Sequence, residues 1–217
     1  MLASVNINLG RKLVRNWKDK GKSGAATDPE DTSSRYRPGD LQALALSTKF
    51  TRREIQFFYR GFKQECPSGN IDEDGFREIY AKFFPFGDSN QYAHLLFNVL
   101  DKNQSGSISF DDFIYGLSTL IKGSTEDRLA WTFSLYDVNN DGFITEDEML
   151  QVVGAIYRLI DTTQSDHVSP EERGQDLFTK IDANHDGIIT LEEFMTYCSK
   201  DATIMSGLDM YNLMWET

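Results

Sequence analysis

The chain reads as an all-α protein: four helix–loop–helix units paired into two lobes, with short β-bridges between loops and a further C-terminal helix. Three observations predict this. Two twelve-residue segments, Asp137–Glu148 and Asp182–Glu193, carry oxygen-bearing side chains at the same positions 1, 3, 5, 9 and 12. A third segment, Asp101–Asp112, keeps that frame with fewer acids, and a fourth survives only as Gly69 and Ile71, spaced like the position 6 and 8 residues of the others. Beside the loops, apolar residues recur at the spacing of one helical face: Phe76, Ile79, Tyr80 and Phe83; Phe113, Leu117 and Leu120; Met149, Val152, Val153 and Ile156.

Each position in the two complete loops has a mechanical reason. Gly142 and Gly187 allow the sharp turn at position 6, and Phe143 and Ile188 at position 7 offer only a backbone carbonyl. Asp137, Asn139, Asp141 and Glu148 supply side-chain oxygens in one loop, and Asp182, Asn184, Asp186 and Glu193 in the other, with each Glu closing the shell bidentately. Three carboxylates per loop repel one another until a hard cation arrives. This is an EF-hand calcium loop, twice. The bland alternative, an acidic turn between helices, gives no reason for glycine and isoleucine to recur in fixed slots.

The second hand is weaker. Asp101, Asn103, Ser105 and Ser107 hold its ligand slots, the last through its carbonyl, but Asp112 closes it with one methylene fewer than Glu. Monodentate closure gives a tighter six-oxygen shell that suits Mg2+, or Ca2+ at low affinity. An empty structural loop is the alternative. In the first hand the ligands are gone: Gly69 puts Gln64 at position 1 and Gly75 at position 12, while Ile55, Phe58, Tyr59 and Phe62 predict a loop starting at Lys63. The mismatch reads as a one-residue insertion, and the hand as a packing element.

Pairing of the short strands predicts Ile71 against Ile108 and Ile144 against Ile189. The expected organisation is a basic amphipathic segment over 1–22, a flexible linker and start of the core over 23–44, an N-terminal lobe over 45–122, and a C-terminal lobe with its final helix over 123–217. A net charge of −12 over 217 residues matches acidic hands. Cys66 and Cys198 have no CxxC or zinc spacing and no apolar run approaches a membrane span, so a reducing, cytoplasmic chain is expected. Cys66 reads as a small buried apolar residue. His94, His167 and His185 are isolated and receive no role.

Residues 1–22 hold six basic residues against Asp19, a net +5 that leaves −17 for the remainder. Leu2, Val5, Leu9, Leu13 and Trp17 recur at helical spacing, so this segment is expected either to touch an anionic membrane surface or to be a disordered arm. It lacks the continuous apolar run of a signal peptide, and Leu2 is not a myristoylation acceptor. At the other end Met205, Leu208, Met210, Tyr211, Leu213, Met214 and Trp215 make a tail apolar on most sides, suited to occupying a groove and leaving it. Before Asp137, the stripe Leu129, Thr132, Phe133 and Tyr136 supplies the core, leaving Trp131 off it. Phe57, Phe84, Phe86 and Tyr115 are likewise additional to a minimum core. Together with Phe58, Phe62, Phe76, Tyr80 and Phe97 they outline an expected partner groove, with extra core as the alternative.

Glu65-Cys-Pro-Ser-Gly69, Ile79-Tyr-Ala-Lys-Phe-Phe-Pro85, Tyr92-Ala-His-Leu-Leu-Phe97 and Trp131-Thr-Phe-Ser-Leu-Tyr-Asp137 resemble the neuronal calcium sensor family, from about residue 45 onward. The Asp-closed second hand, Leu2 and the divergent N-terminal extension look most like its potassium-channel-interacting, calsenilin-like branch. The resemblance implies a calcium-sensing subunit, peripheral to the plasma membrane, whose first-lobe groove clamps the N-terminal helix of an A-type (Shal-type) voltage-gated potassium channel and affects trafficking and inactivation. It implies Ca2+ in the third and fourth hands and a C-terminal helix that moves aside for the channel peptide. A homo-oligomer or a four-fold channel-bound assembly fits such a subunit. A sensor for a cyclase, kinase or phosphatase, or a calsenilin-like transcriptional repressor, is the alternative. The negative charge disfavours nucleic acid as first partner, a passive calcium buffer should lack the degenerate hand and apolar tail, and no catalytic constellation is visible.

Overall fold

The computed structural model describes residues 38–85, 87–160, 168–202 and 204–205. The basic segment 1–22, most of the linker, Phe86, His167 and nearly all of the apolar tail lie outside them. Helix α1 (Pro38–Ser47) leads into the first hand, formed by α2 (Arg52–Glu65), β1 (Asn70–Asp72) and α3 (Glu73–Phe83). The second comprises α4 (Asn90–Leu100), β2 (Ser107–Ser109) and α5 (Phe110–Lys122); the third, α6 (Thr125–Tyr136), β3 (Phe143–Thr145) and α7 (Glu146–Ile160). The fourth comprises α8 (Pro170–Ile181), β4 (Ile188–Thr190) and α9 (Leu191–Lys200).

Helix starts are written locally. Thr51 with Glu54, Ser124 with Asp127 and Ser169 with Glu172 form capping boxes, each satisfying orphan N–H groups of the first turn. In the second and fourth hands the box is made by loop positions 9 and 12, Ser109 with Asp112 and Thr190 with Glu193, so residues placed for a cation also start the exiting helix. Strands β1 and β2 pair antiparallel with Ile71 opposite Ile108, and β3 and β4 with Ile144 opposite Ile189, as expected. All four isoleucines are buried, which pins the register because a one-residue slip would turn them to solvent.

The first hand corrects the sequence count. Helices α4, α6 and α8 end with the cap N–H of Asp101, Asp137 and Asp182 bonded to the carbonyl four residues back, on Phe97, Phe133 and Phe178. In α2 the equivalent bond runs from Cys66 to Phe62, so Phe62 stands four residues before the loop, not one. From this cap to the turn glycine is three residues in the first hand and five in the others. The loop is thus two residues shorter, with no insertion; without a cation to enclose, the helix runs on to Glu65.

The lobes share one core. Helix α6 packs against α4, α5, α7 and α9, which is why Arg128, Leu129, Trp131, Thr132, Phe133, Leu135 and Tyr136 are all buried along it. Arg128, 2% exposed, places a guanidinium N–H on the Ile121 carbonyl at 3.2 Å, where the end of α5 leaves carbonyls without helical partners. Among the described residues no helix is long and apolar enough to cross a membrane.

Candidate metal centres

The second, third and fourth loops share one backbone. Position 4 is left-handed in each (Gln104, φ 53°; Asn140, φ 58°; His185, φ 59°), and position 6 is a glycine with φ between 75° and 90°. A Cβ added to Gly106, Gly142 or Gly187 would meet nothing within 4 Å, so glycine is demanded there by backbone conformation rather than by space. His185, given no role from sequence, is one of the residues that turns the chain.

Position 1 organises each loop. Asp137 accepts from the N–H groups of Asp141 at 3.0 Å and Gly142 at 2.9 Å; Asp182 accepts from Asp186 at 3.3 Å and Gly187 at 3.1 Å; Asp101 accepts from Ser105 at 3.0 Å and Gly106 at 2.8 Å. The position 3 amides add a second acceptor for the position 5 N–H: Asn139 and Asn184 at 2.9 Å, Asn103 at 3.0 Å. Asp141 and Asp186 accept from the N–H groups of Phe143 and Ile188, the position 7 residues. In the second loop the Ser105 hydroxyl lies 2.8 Å from the Ser107 carbonyl, so two expected ligand oxygens are already adjacent.

Position 12 separates the loops. Glu148 accepts from Thr145 N–H and O–H with one oxygen, and its other oxygen reaches across to the Asn139 N–H at 3.2 Å. Glu193 accepts the same pair from Thr190, and the N–H groups of Asn184 and Ala183 also act on it. Asp112 accepts from Ser109 alone among the described residues. One methylene therefore decides whether the closing carboxylate spans its loop.

The electrostatics follow. Burial pushes the Asp137 carboxyl above the usual range, and the like charges of Asp141 and Glu148 push the same way against its two N–H donors. Glu193 is held below the usual range, chiefly by the Thr190 N–H and hydroxyl. Among the described residues no three acidic, histidine or cysteine side chains are gathered into a metal shell; the carboxylate oxygens engage N–H and O–H donors instead. The donor set itself is all oxygen and fits a hard cation. The first loop contributes no comparable set.

The expected groove residues fall mostly in the core. Phe58, Phe62, Phe76, Tyr80, Phe84, Phe97 and Trp131 are buried, Phe57 is half-buried, and Tyr115 is exposed. Phe62 stacks edge-on to Phe110 at 5.5 Å, Phe76 to Phe97 at 5.9 Å, and Tyr80 lies flat on Phe84 at 5.3 Å. Phe84 and Trp131 are thus corrected from surplus surface to core. Of the histidines without an assigned role, His94 bridges α3 and α4, its Nδ1 2.5 Å from the Glu73 carboxylate that also pairs with Arg77.

A family model for the EF-hand domain pair matches residues 126–199, and another EF-hand domain pair model matches residues 67–115. The first span contains both complete loops, and the second runs from the shortened loop into α5. Together they cover more than half of the chain, and such domains support a calcium-sensing regulatory role. The chain belongs to the EF-hand calcium-binding proteins.

Proposed function

We propose that this chain is a non-catalytic calcium-sensing subunit of the neuronal calcium sensor type, in which the third and fourth hands take Ca2+ and the second takes Mg2+ or weak Ca2+. The observation that carries the assignment is the reach of position 12. Glu148 and Glu193 act on the far side of their loops while Asp112 stays at its helix cap. Drawing Glu148 or Glu193 onto a cation would change its hold on the exiting helix, α7 or α9, and so turn occupancy into movement. A passive buffer has no use for such unequal hands.

The proposed target is the N-terminal helix of an A-type (Shal-type) voltage-gated potassium channel. Support comes from the motifs around Cys66, Tyr80, Tyr92 and Trp131 that resemble the channel-interacting branch. Pull-down with the full chain from neuronal membranes, with and without calcium and read by mass spectrometry, tests this. Recovery of an A-type channel subunit above all other membrane proteins is expected. Recovery of a cyclase, kinase or phosphatase in its place would overturn the channel assignment and leave the sensor reading standing.

A further inference from the structure

Helix α2 departs from the charge pattern of the rest of the chain. Its exposed residues are Arg52, Arg53, Gln56, Arg60 and Gln64, with no acid among them. In every other described helix that exposes a lysine or arginine, exposed Asp or Glu residues accompany it, as suits a chain of net charge −12. The two acids of α2 are engaged elsewhere: Glu54 pairs with Lys122 on α5 at 3.1 Å, and Glu65 with Lys82 on α3 at 3.8 Å. Among the described residues Arg52, Arg53 and Arg60 have no carboxylate partner. At 3.6 residues per turn, the three arginines fall within about 100° of arc.

The fold gives no reason for two of these cations. Arg52 and Arg53 stand in the first turn of α2, where the helix macrodipole disfavours positive charge, and the capping box is made by Thr51 and Glu54 without them. Phe57 lies between Arg53 and Arg60 at the i, i+4, i+7 spacing of one stripe, half-buried, its ring held edge-on against Phe58 at 5.5 Å. A partly exposed ring flanked by arginines suits the boundary between headgroups and acyl chains, where the guanidiniums meet phosphate and the ring edge meets hydrocarbon. A nucleic acid duplex offers the phosphates but no apolar layer for Phe57. Screening over about 8 Å lets this face approach an anionic surface while acidic surface turned away from it is felt weakly.

We propose that the exposed face of α2 is a docking surface for anionic lipid headgroups, with Arg52, Arg53 and Arg60 at the phosphates and Phe57 at the acyl boundary. The contact is separate from residues 1–22, which carry their own positive charge. It draws on neither the metal assignment nor the channel assignment above.

The test is co-sedimentation of the full chain with phosphatidylcholine vesicles, with and without phosphatidylserine, in EGTA so that calcium cannot bridge the acidic hands to the lipid. Binding only to the phosphatidylserine vesicles is expected, and its release at 1 M salt, where the Debye length falls to about 3 Å. Each arginine at such a surface contributes about fivefold, so the Arg53→Gln, Arg60→Gln double variant should bind about 25-fold more weakly. Its melting temperature should match the wild type, because both side chains are exposed. An Arg11→Gln, Arg15→Gln variant reports on residues 1–22 in the same assay. Equal binding to both vesicles, binding that survives 1 M salt, or a loss confined to the Arg11, Arg15 variant would each overturn the proposal. The salt and lipid comparisons use the wild-type chain, so they decide even if the α2 variant fails to fold. Duplex DNA is titrated into the same chains; duplex binding that depends on Arg53 and Arg60 and exceeds vesicle binding would overturn the lipid assignment in favour of nucleic acid.

Discussion

The backbone N–H of Asp88, in the loop between α3 and α4, donates to the carbonyl of Arg158 near the end of α7 at 3.0 Å. The Arg158 guanidinium in turn reaches the Gln91 side chain, on α4. The exiting helix of the third hand is thus held by the segment that opens the second, and displacement of one end of α7 is felt in the first lobe.

Gly87 makes that contact possible. A Cβ there would stand 1.9 Å from the Leu159 carbonyl oxygen and 2.5 Å from its carbon, and a backbone neighbour has little room to yield. Gly87→Ala is expected to cost about 2–3 kcal/mol. Urea unfolding of the variant beside the wild type measures it; an unchanged midpoint would show that the loop relaxes freely.

Complete donor sets at 137–148 and 182–193 imply dissociation constants on the order of 10⁻⁷ to 10⁻⁵ M. Calorimetry should find two such calcium sites in the chain and none in the Glu148→Gln, Glu193→Gln double variant. Retention of both sites would sink the assignment of closing ligands.

Asp112→Glu should give the second loop the reach that Glu148 has, and raise its calcium affinity by about tenfold or more, since bidentate closure adds an oxygen to the shell. The same titration checks it. An unchanged third site would mean that the loop is limited elsewhere, at Ser105 or Ser107.

Burial pushes the Cys66 thiol up to about 11, helped by the Glu65 charge, and the Cys198 thiol up to about 12, helped by Asp201. Both are therefore protonated and unreactive in the folded chain near neutral pH. A thiol reagent at pH 8 should label neither at the rate of a free cysteine, and both once denaturant is added. The folded pKa values are raised, so this contribution to stability is complete below the ordinary thiol range of about 8.5 and is lost as pH climbs toward 11 and 12. A melting temperature that holds steady over that climb would contradict it.

The loops were legible because their constraints are local. Position 1 caps the incoming helix, the position 6 glycine turns the chain, and positions 9 and 12 start the outgoing helix, all within twelve residues; the pairings Ile71 with Ile108 and Ile144 with Ile189 follow from that frame. Where a cation imposed no length the local count failed, and the Phe62 carbonyl shows the first loop to be two residues shorter than its siblings. The phenylalanine four residues before each loop was the overlooked signal. Burial of Trp131 was beyond periodicity, because a one-face stripe assumes one packed side and α6 is packed by four helices; Phe84 lies just past the end of α3, where helical spacing no longer applies, and is buried against Tyr80. The tie between Asp88 and Arg158 joins residues seventy positions apart through backbone groups, which carry no side-chain signature; only the packing of the two lobes brings them together.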